Sequence, residues 1–154
     1  MYKHIMVPLD GSKLAECVLP HVEAIAKCGG TQDVTLVRVV EPFRAAAGAE
    51  VTFDETYLKK YEAESMKYAE NYLDSVAKKI SLPGVTIKKV VLSGIPADSL
   101  SDYAKNNKVD LIIIATHGRS GVSRWVFGSV ADRILRSSQA PVLMVRSPGC
   151  TAGA

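Results

Sequence analysis

The chain has 154 residues, of which 47% are hydrophobic and 23% are charged, and its formal net charge is +3. A chain of this size forms one globular domain that buries roughly 70% of its unfolded surface. The charge is too small to indicate nucleic-acid binding, and no run of five or more lysines and arginines occurs. The N-terminus lacks the apolar core of a signal peptide, and no apolar stretch reaches the roughly 18 residues of a membrane span. We therefore expect a soluble cytoplasmic protein that binds neither nucleic acid nor membrane.

The number and spacing of the cysteines are consistent with a cytoplasmic protein. Cys17, Cys28 and Cys150 show neither CxxC spacing nor an even count. Both observations argue against a disulfide framework and against a thiolate metal site, so we expect reduced thiols. Residues 149–154 are predicted to form a disordered tail, which leaves residues 1–148 as the single domain.

Strand and helix patterns alternate from the start of the chain. The apolar run at residues 5–9 predicts a first strand, and the turn residues 10–12 end it and offer Ser12 as a helix N-cap. Apolar residues then recur every three or four positions over residues 14–28, which predicts a helix that Pro20 should kink. Residues 34–40 predict the second strand. Residues 43–52 are rich in alanine and glycine and predict a loop.

The longest helical pattern spans residues 54–80 and carries four tyrosines at helical spacing: Tyr57, Tyr61, Tyr68 and Tyr72. Such a stripe can form a ligand cage or pack in the core, and the helical spacing favours core packing. Residues 85–92 predict the third strand, and Pro96 marks the start of the next helix. Residues 111–115 and 141–146 predict the last two strands. Between them, the segment from Ser129 to Asp132 is typical of a capping box at a helix start.

This alternation predicts the fold class. Five short strands, each except the last followed by a helix, indicate an α/β protein with a single doubly wound five-stranded parallel sheet and helices on both faces. In such sheets ligands bind outside the carboxyl ends of the strands, where the strand order reverses. The candidate loops are therefore residues 10–12, residues 39–40 and residues 116–129.

The loop after the fourth strand has the composition of a phosphate site. Gly118 follows the strand, and after nine intervening residues Gly128 and Ser129 lead into a helix. Unpaired backbone N–H groups and the dipole at a helix start hold anions in this arrangement. The GxGxxG fingerprint and the Gly-Lys pair of a P-loop are both absent from the sequence. Ser129 could contact phosphate or cap the helix, and Asp10 could bind a ligand or serve only its turn.

Four pieces of this sequence together resemble the universal stress protein family. They are Val-Pro-Leu-Asp-Gly-Ser at 7–12, Ser-Gly-Ile-Pro at 93–96, Ala-Thr-His-Gly followed by nine residues and Gly-Ser at 115–129, and Ala-Pro-Val-Leu-Met-Val at 140–145. The resemblance spans essentially the whole chain. It implies a Rossmann-like fold, similar to that of the adenine nucleotide alpha hydrolases, and ATP, AMP or ADP as the ligand. It also implies a homodimer formed through the last strand, from Val142 to Val145.

The resemblance also assigns residues to the site. Pro8, Asp10 and Val39 would line the adenosine side, while Gly118, Gly128 and Ser129 would hold the phosphates and Val130 would contribute its N–H group. Asp10 is in addition the candidate ligand for Mg²⁺. The ATP-binding branch of the family shows Gly, two residues, Gly, nine residues, Gly, and then Ser or Thr. Ala115 stands where that pattern has its first glycine.

We expect a stress protein that senses or holds ATP and turns it over slowly or not at all. Two other functions stay open. A slow ATPase or phosphotransferase would use the same pocket, and it would need a positioned base and metal ligands, for which the sequence offers only Asp10 and His117. A nucleotide-independent interaction module would fit the departure at Ala115, because the family includes members that lack the glycine loop and do not bind ATP.

Overall fold

The structure is a computed structural model and describes residues 2–43, 54–116 and 128–146. The strands are β1 (His4–Pro8), β2 (Asp33–Val40), β3 (Thr86–Ser93), β4 (Leu111–Ala115) and β5 (Val142–Val145). The helices are α1 (Leu19–Lys27), α2 (Glu55–Ala77), α3 (Pro96–Asn106) and α4 (Ser129–Ser137), and a 3₁₀ helix (Ala15–Val18) precedes α1. The strands form one parallel sheet in the order β3-β2-β1-β4-β5. The predicted fold class is confirmed.

Both faces of the sheet carry a core, because successive side chains of a strand point to opposite faces. On one face the buried cluster joins strand residues to α1 and α2, and its members include Ile5, Val7, Leu36, Val22 and Leu73. On the other face the cluster joins strand residues to α3 and α4, and its members include Met6, Val37, Ile112, Leu100 and Ile134. The helices therefore cover both faces, as the alternation of elements predicts. No helix in the described ranges is long and apolar enough to cross a membrane.

The helical pattern after β1 forms two pieces, so the predicted kink at Pro20 is wrong. A 3₁₀ helix comes first, and Pro20 lies in the opening turn of α1. A proline is tolerated there because the N–H groups of a first turn have no partner within the helix. The Ser12 hydroxyl accepts a hydrogen bond from the Ala15 N–H group at 3.1 Å. Ser12 thus satisfies a donor at this start as predicted, although the N-cap position itself is Leu14.

The prediction that the four tyrosines of α2 pack in the core is wrong for three of them. Tyr57, Tyr61 and Tyr68 are 58%, 46% and 63% exposed, and only Tyr72 is half-buried. The buried stripe of α2 consists of Ala69, Leu73 and Val76. At about 100° per residue, the tyrosines lie to one side of that stripe.

Candidate functional site

A pocket of about 390 Å³ opens at the carboxyl edge of the sheet, beside β1 and β4. The chain leaves β1 toward β2 and leaves β4 toward β5 on the opposite side, so the strand order reverses at this point. This is the place that the topology predicts for a ligand. The described lining residues are Pro8, Leu9, Asp10, Ala15, Val37, Arg38, Val39, Glu41, Pro96, Leu100, Ile114, Ala115, Thr116, Gly128, Ser129, Val130 and Ala131.

Nearly all the residues that the sequence assigns to the site meet in this pocket. They come from four separate parts of the chain and are Pro8, Asp10, Val39, Ala115, Gly128, Ser129 and Val130. Gly118 and His117 lie outside the described residues. The structure therefore brings the predicted adenosine side and the described part of the predicted phosphate side to one cavity.

The turn after β1 holds Asp10 in place. One oxygen of its carboxylate, Oδ1, accepts hydrogen bonds from the Ser12 N–H group at 2.8 Å and from the Ser12 hydroxyl at 2.7 Å. This is the ordinary chemistry of an Asx turn, and the same residue lines the pocket. A role of Asp10 in its own turn is therefore compatible with a role in ligand binding. In the part of the chain that the structure describes, no group of three or more metal-ligating side chains occurs.

The start of α4 supplies backbone donors to the pocket. The N-cap is Gly128, and Ser129 is the first helical residue, so the predicted capping box is wrong by one position. Glycine has no side chain to accept the N–H groups of the first turn, which have no partner within the helix. These amides belong to Ser129, Val130 and Ala131, which line the cavity. The helix dipole adds partial positive charge at the same place.

A short hydrogen bond fixes that helix start against β4. The Gly128 N–H group donates to the Thr116 carbonyl oxygen at 2.6 Å, and the Thr116 N–H group donates to the Val145 carbonyl oxygen at 2.8 Å. The chain therefore leaves the sheet at Thr116 and returns beside it at Gly128. Thr116 is 6% exposed and lines the pocket, a role that the sequence analysis does not assign to it.

Ala115 keeps the regular geometry of its strand. It pairs with Val145 of β5 and is 7% exposed, and it belongs to the buried cluster on the α1 and α2 face. The core thus accommodates its methyl group, and the cavity keeps its volume of about 390 Å³ with alanine in the wall.

Arg38 is another lining residue that was not predicted from the sequence. It is 7% exposed, and its guanidinium carbon lies 5.1 Å and 5.2 Å from the ring centroids of Tyr68 and Tyr72. The sequence held a signal for a special role of this residue, because Arg38 is the one charged residue in the apolar run from Val34 to Val40. Burial raises the pKa of the Tyr72 phenol, and the carboxylates of Glu16 and Asp10 raise it further, so that ring is neutral.

The pocket combines two kinds of surface. Apolar side chains such as Val39, Leu100 and Ile114 form its walls, and the start of α4 forms an anion-binding end. Among the described lining residues there is no histidine, cysteine or lysine. The arrangement suits a ligand with a flat, weakly polar part and an anionic part.

Comparison with known proteins gives a consistent result over the whole chain. The family model described as the universal stress protein family matches residues 1–146. Universal stress protein MJ0531 of Methanocaldococcus jannaschii is 33% identical over 96% of this chain and 84% of its own. Universal stress protein MJ0577 of the same organism is 27% identical over 95% of this chain and 96% of its own.

Solved structures show the same fold. The structure of MJ0577 superposes with a TM-score of 0.80 at 28% identity, covering 95% of this chain and 96% of that one. A universal stress protein in complex with cAMP has a TM-score of 0.60 at 19% identity, covering 95% and 98%. A family member from Arabidopsis thaliana with AMP bound has a TM-score of 0.60 at 13% identity, covering 94% and 92%. The last two similarities concern the fold alone.

Proposed function

The chain belongs to the universal stress protein family, and on that basis we propose that it binds an adenine nucleotide, which is ATP or alternatively ADP or AMP. It acts as a binding protein that senses or holds the nucleotide in the stress response. One observation carries the proposal: the start of α4 presents its N–H groups to a pocket at the reversal of strand order. That combination is a phosphate site in α/β proteins.

The pocket residues divide into two ends under this proposal. Pro8, Asp10 and Val39 stand on the side of β1 and β2 and take the adenosine, while Gly128, Ser129 and Val130 stand beside β4 and take the phosphates. Two proteins of the same fold, one in complex with cAMP and one with AMP bound, support an adenine ligand. Gly118 stays a predicted phosphate residue.

A direct experiment identifies the ligand. Mass spectrometry of small molecules released from freshly purified protein should detect ATP, ADP or AMP. Calorimetry should then show binding of ATP, weaker binding of adenosine, and no comparable binding of GTP. Tighter binding of ATP is expected because only phosphate engages the α4 amides and the helix dipole. A folded protein that binds no adenine nucleotide would contradict the proposal.

Mg²⁺ at Asp10 stays a prediction. Asp10 and Glu41 are acidic residues that line the pocket. Proteins hold Mg²⁺ through one or two carboxylates together with substrate phosphates. Asp10 follows β1, the strand next to β4 and the proposed phosphate side, so its carboxylate fits the ion once a nucleotide is bound. Titration of ATP with and without Mg²⁺, in the native protein and in Asp10→Asn, tests this assignment.

Hydrolysis should be slow, at about one event per minute or less, against roughly 10 per second for a typical enzyme. The physical reason is the composition of the described pocket wall, whose titratable side chains are Asp10, Arg38 and Glu41. Phosphate release from ATP by purified protein measures the rate. Turnover of several events per second, abolished in Asp10→Ala, would instead establish the alternative of an ATPase or phosphotransferase.

We also propose that the chain forms a homodimer through β5. This strand ends the sheet, and in the described residues no strand pairs with its outer side. Val142, Leu143 and Met144 are half-buried, which leaves apolar surface beside unpaired backbone groups. A two-fold copy of the same strand would cover both.

A further inference from the structure

A buried cation stands at the end of β2, beside the proposed adenosine side. Arg38 follows Val34 and Leu36 on the sheet face that packs against α1 and α2, since alternate residues of a strand share a face. It is 7% exposed and lines the pocket. Arginine is rarely buried to this extent unless specific contacts compensate for its lost hydration.

One contact is with the turn after β1. A Cβ atom added to Gly11 would lie 2.9 Å from Nη1, 3.0 Å from the guanidinium carbon and 3.0 Å from Nη2 of Arg38. Because the three distances are nearly equal, the flat face of the guanidinium covers Gly11. The φ angle of Gly11 is +91°, a conformation that favours glycine. Both the close approach and the backbone conformation therefore require glycine at this position.

The other contacts are with α2. The guanidinium carbon lies 5.1 Å from the ring centroid of Tyr68 and 5.2 Å from that of Tyr72. Both distances fall within the roughly 6 Å range of cation–π attraction. The cation thus contacts both the turn after β1 and the aromatic side chains of α2.

The turn that rests on Arg38 carries the site residue Asp10. The Asp10 carboxylate accepts from the backbone and hydroxyl of Ser12, and the Ser12 hydroxyl accepts from the Ala15 N–H group. Asp10 and Ala15 both line the pocket. A movement of Gly11 would therefore move the hydrogen-bonded unit of residues 10–15 and the carboxylate with it.

We propose that Arg38 is a positioning residue, whose guanidinium clamps the turn after β1 against Tyr68 and Tyr72 and so holds the adenosine side of the pocket in its binding geometry. The identity of the ligand in this inference rests on the proposed function. Arg38 acts at the β2 side, away from the start of α4 on the other side of β1. Its effect is therefore on the adenosine part and does not depend on the number of phosphates.

The experiment compares three variants with the native protein. Arg38→Met keeps an unbranched apolar stem and removes the guanidinium, and Arg38→Lys keeps the charge but removes the flat face. Arg136→Met is the matched control, because Arg136 is exposed and its ion pair with Asp132 lies away from the turn. Calorimetry without Mg²⁺ gives the affinities for adenosine and ATP, so that a metal ion at Asp10 does not contribute. Hydrogen exchange of the Ser12 and Ala15 amides in the ligand-free protein reports on the turn itself.

In Arg38→Met both affinities should fall by the same factor, on the order of tenfold, and the Ser12 and Ala15 amides should exchange about tenfold faster. Arg38→Lys should behave like Arg38→Met because an ammonium cannot cover Gly11, and Arg136→Met should match the native protein. Three results would contradict the clamp. They are a loss of affinity that is larger for ATP than for adenosine, native affinities in Arg38→Lys, or unchanged amide exchange in Arg38→Met.

Two further measurements keep the inference testable. If Arg38→Met does not fold, Tyr68→Leu removes one aromatic contact of Arg38 at a position that is 63% exposed. It should give smaller changes in affinity and amide exchange, in the same direction. Unchanged exchange in that folded variant would contradict the clamp. If the native protein binds no adenine nucleotide, the proposed function fails, and the exchange of residues 10–15 still decides the role of Arg38.

Discussion

Replacement of Gly128 by valine should weaken ATP binding by about 100-fold or more while the domain stays folded. The φ and ψ angles of Gly128 are −51° and 139°, which every L residue adopts, so the substitution adds no backbone strain. The new side chain stands at the N-cap of α4, in the wall of the pocket, where phosphate must approach the amides of Ser129 and Val130. Calorimetry with ATP measures the loss, and circular dichroism confirms the fold.

Gly128→Asp separates binding from stability more sharply. Aspartate is a favoured N-cap residue and should keep or raise the melting temperature. Its carboxylate, however, accepts the same N–H groups that phosphate would use and repels the phosphate charge. We therefore expect higher stability together with lost ATP binding, two changes of opposite sign in one variant.

Gly84→Ala is the control for a general effect of removing glycine. Gly84 has a φ angle of +81° and precedes β3, at the opposite edge of the sheet from the pocket. It should lower stability by about 1 kcal/mol and leave ATP affinity unchanged. Retained ATP affinity in folded Gly128→Val and Gly128→Asp would rule out the phosphate site at α4.

The second large effect concerns assembly: Met144→Pro should convert the proposed dimer into a monomer. The Pro141 and Val145 carbonyl oxygens accept from N–H groups of β4 and the residue after it. The backbone N–H and C=O groups of successive strand residues point to opposite sides of the strand. The groups of Leu143 therefore also point to β4, while those of Val142 and Met144 point to the open edge. Proline at 144 therefore deletes a donor at the proposed interface and keeps the pairing with β4.

Light scattering at micromolar concentration measures the change. Met144→Leu is the matched control, since it keeps the backbone N–H group and nearly the same side-chain volume, and it should remain dimeric. Leu143→Pro should instead lower the stability of the domain, because its donor belongs to the pairing with β4. A native protein that is monomeric, or a folded Met144→Pro that is still dimeric, would exclude this interface.

The strands were predictable because their signals are local. Most are short apolar runs bounded by turn residues, and β4 begins and ends at the predicted positions. The pocket position also followed from the sequence, because a parallel sheet with right-handed crossovers brings the carboxyl ends of its strands to one edge. Gly128 and Asp10 could thus be assigned to one site although 118 positions separate them in the chain.

The tyrosines of α2 show the limit of local patterns. Helical spacing indicates that Tyr57, Tyr61 and Tyr68 share a face, but it does not tell which face of the helix packs on the sheet. In the structure Ala69, Leu73 and Val76 form the buried stripe, and the tyrosines lie beside it. The predicted start of α4 is also wrong by one residue, since Gly128 is the N-cap and its N–H group donates to the carbonyl oxygen of Thr116 at the end of β4.

By itself, therefore, the sequence determined the order of the elements, the parallel sheet and the edge at which the pocket opens, because these follow from short-range hydrophobic patterns and chain connectivity. The family was indicated by four sequence motifs. Only the tertiary structure decided that Arg38 is buried, that its guanidinium covers Gly11, and that Met144 rather than Leu143 faces the open edge. These features arise where separate elements meet. Their energies come from contacts between residues that no local pattern connects.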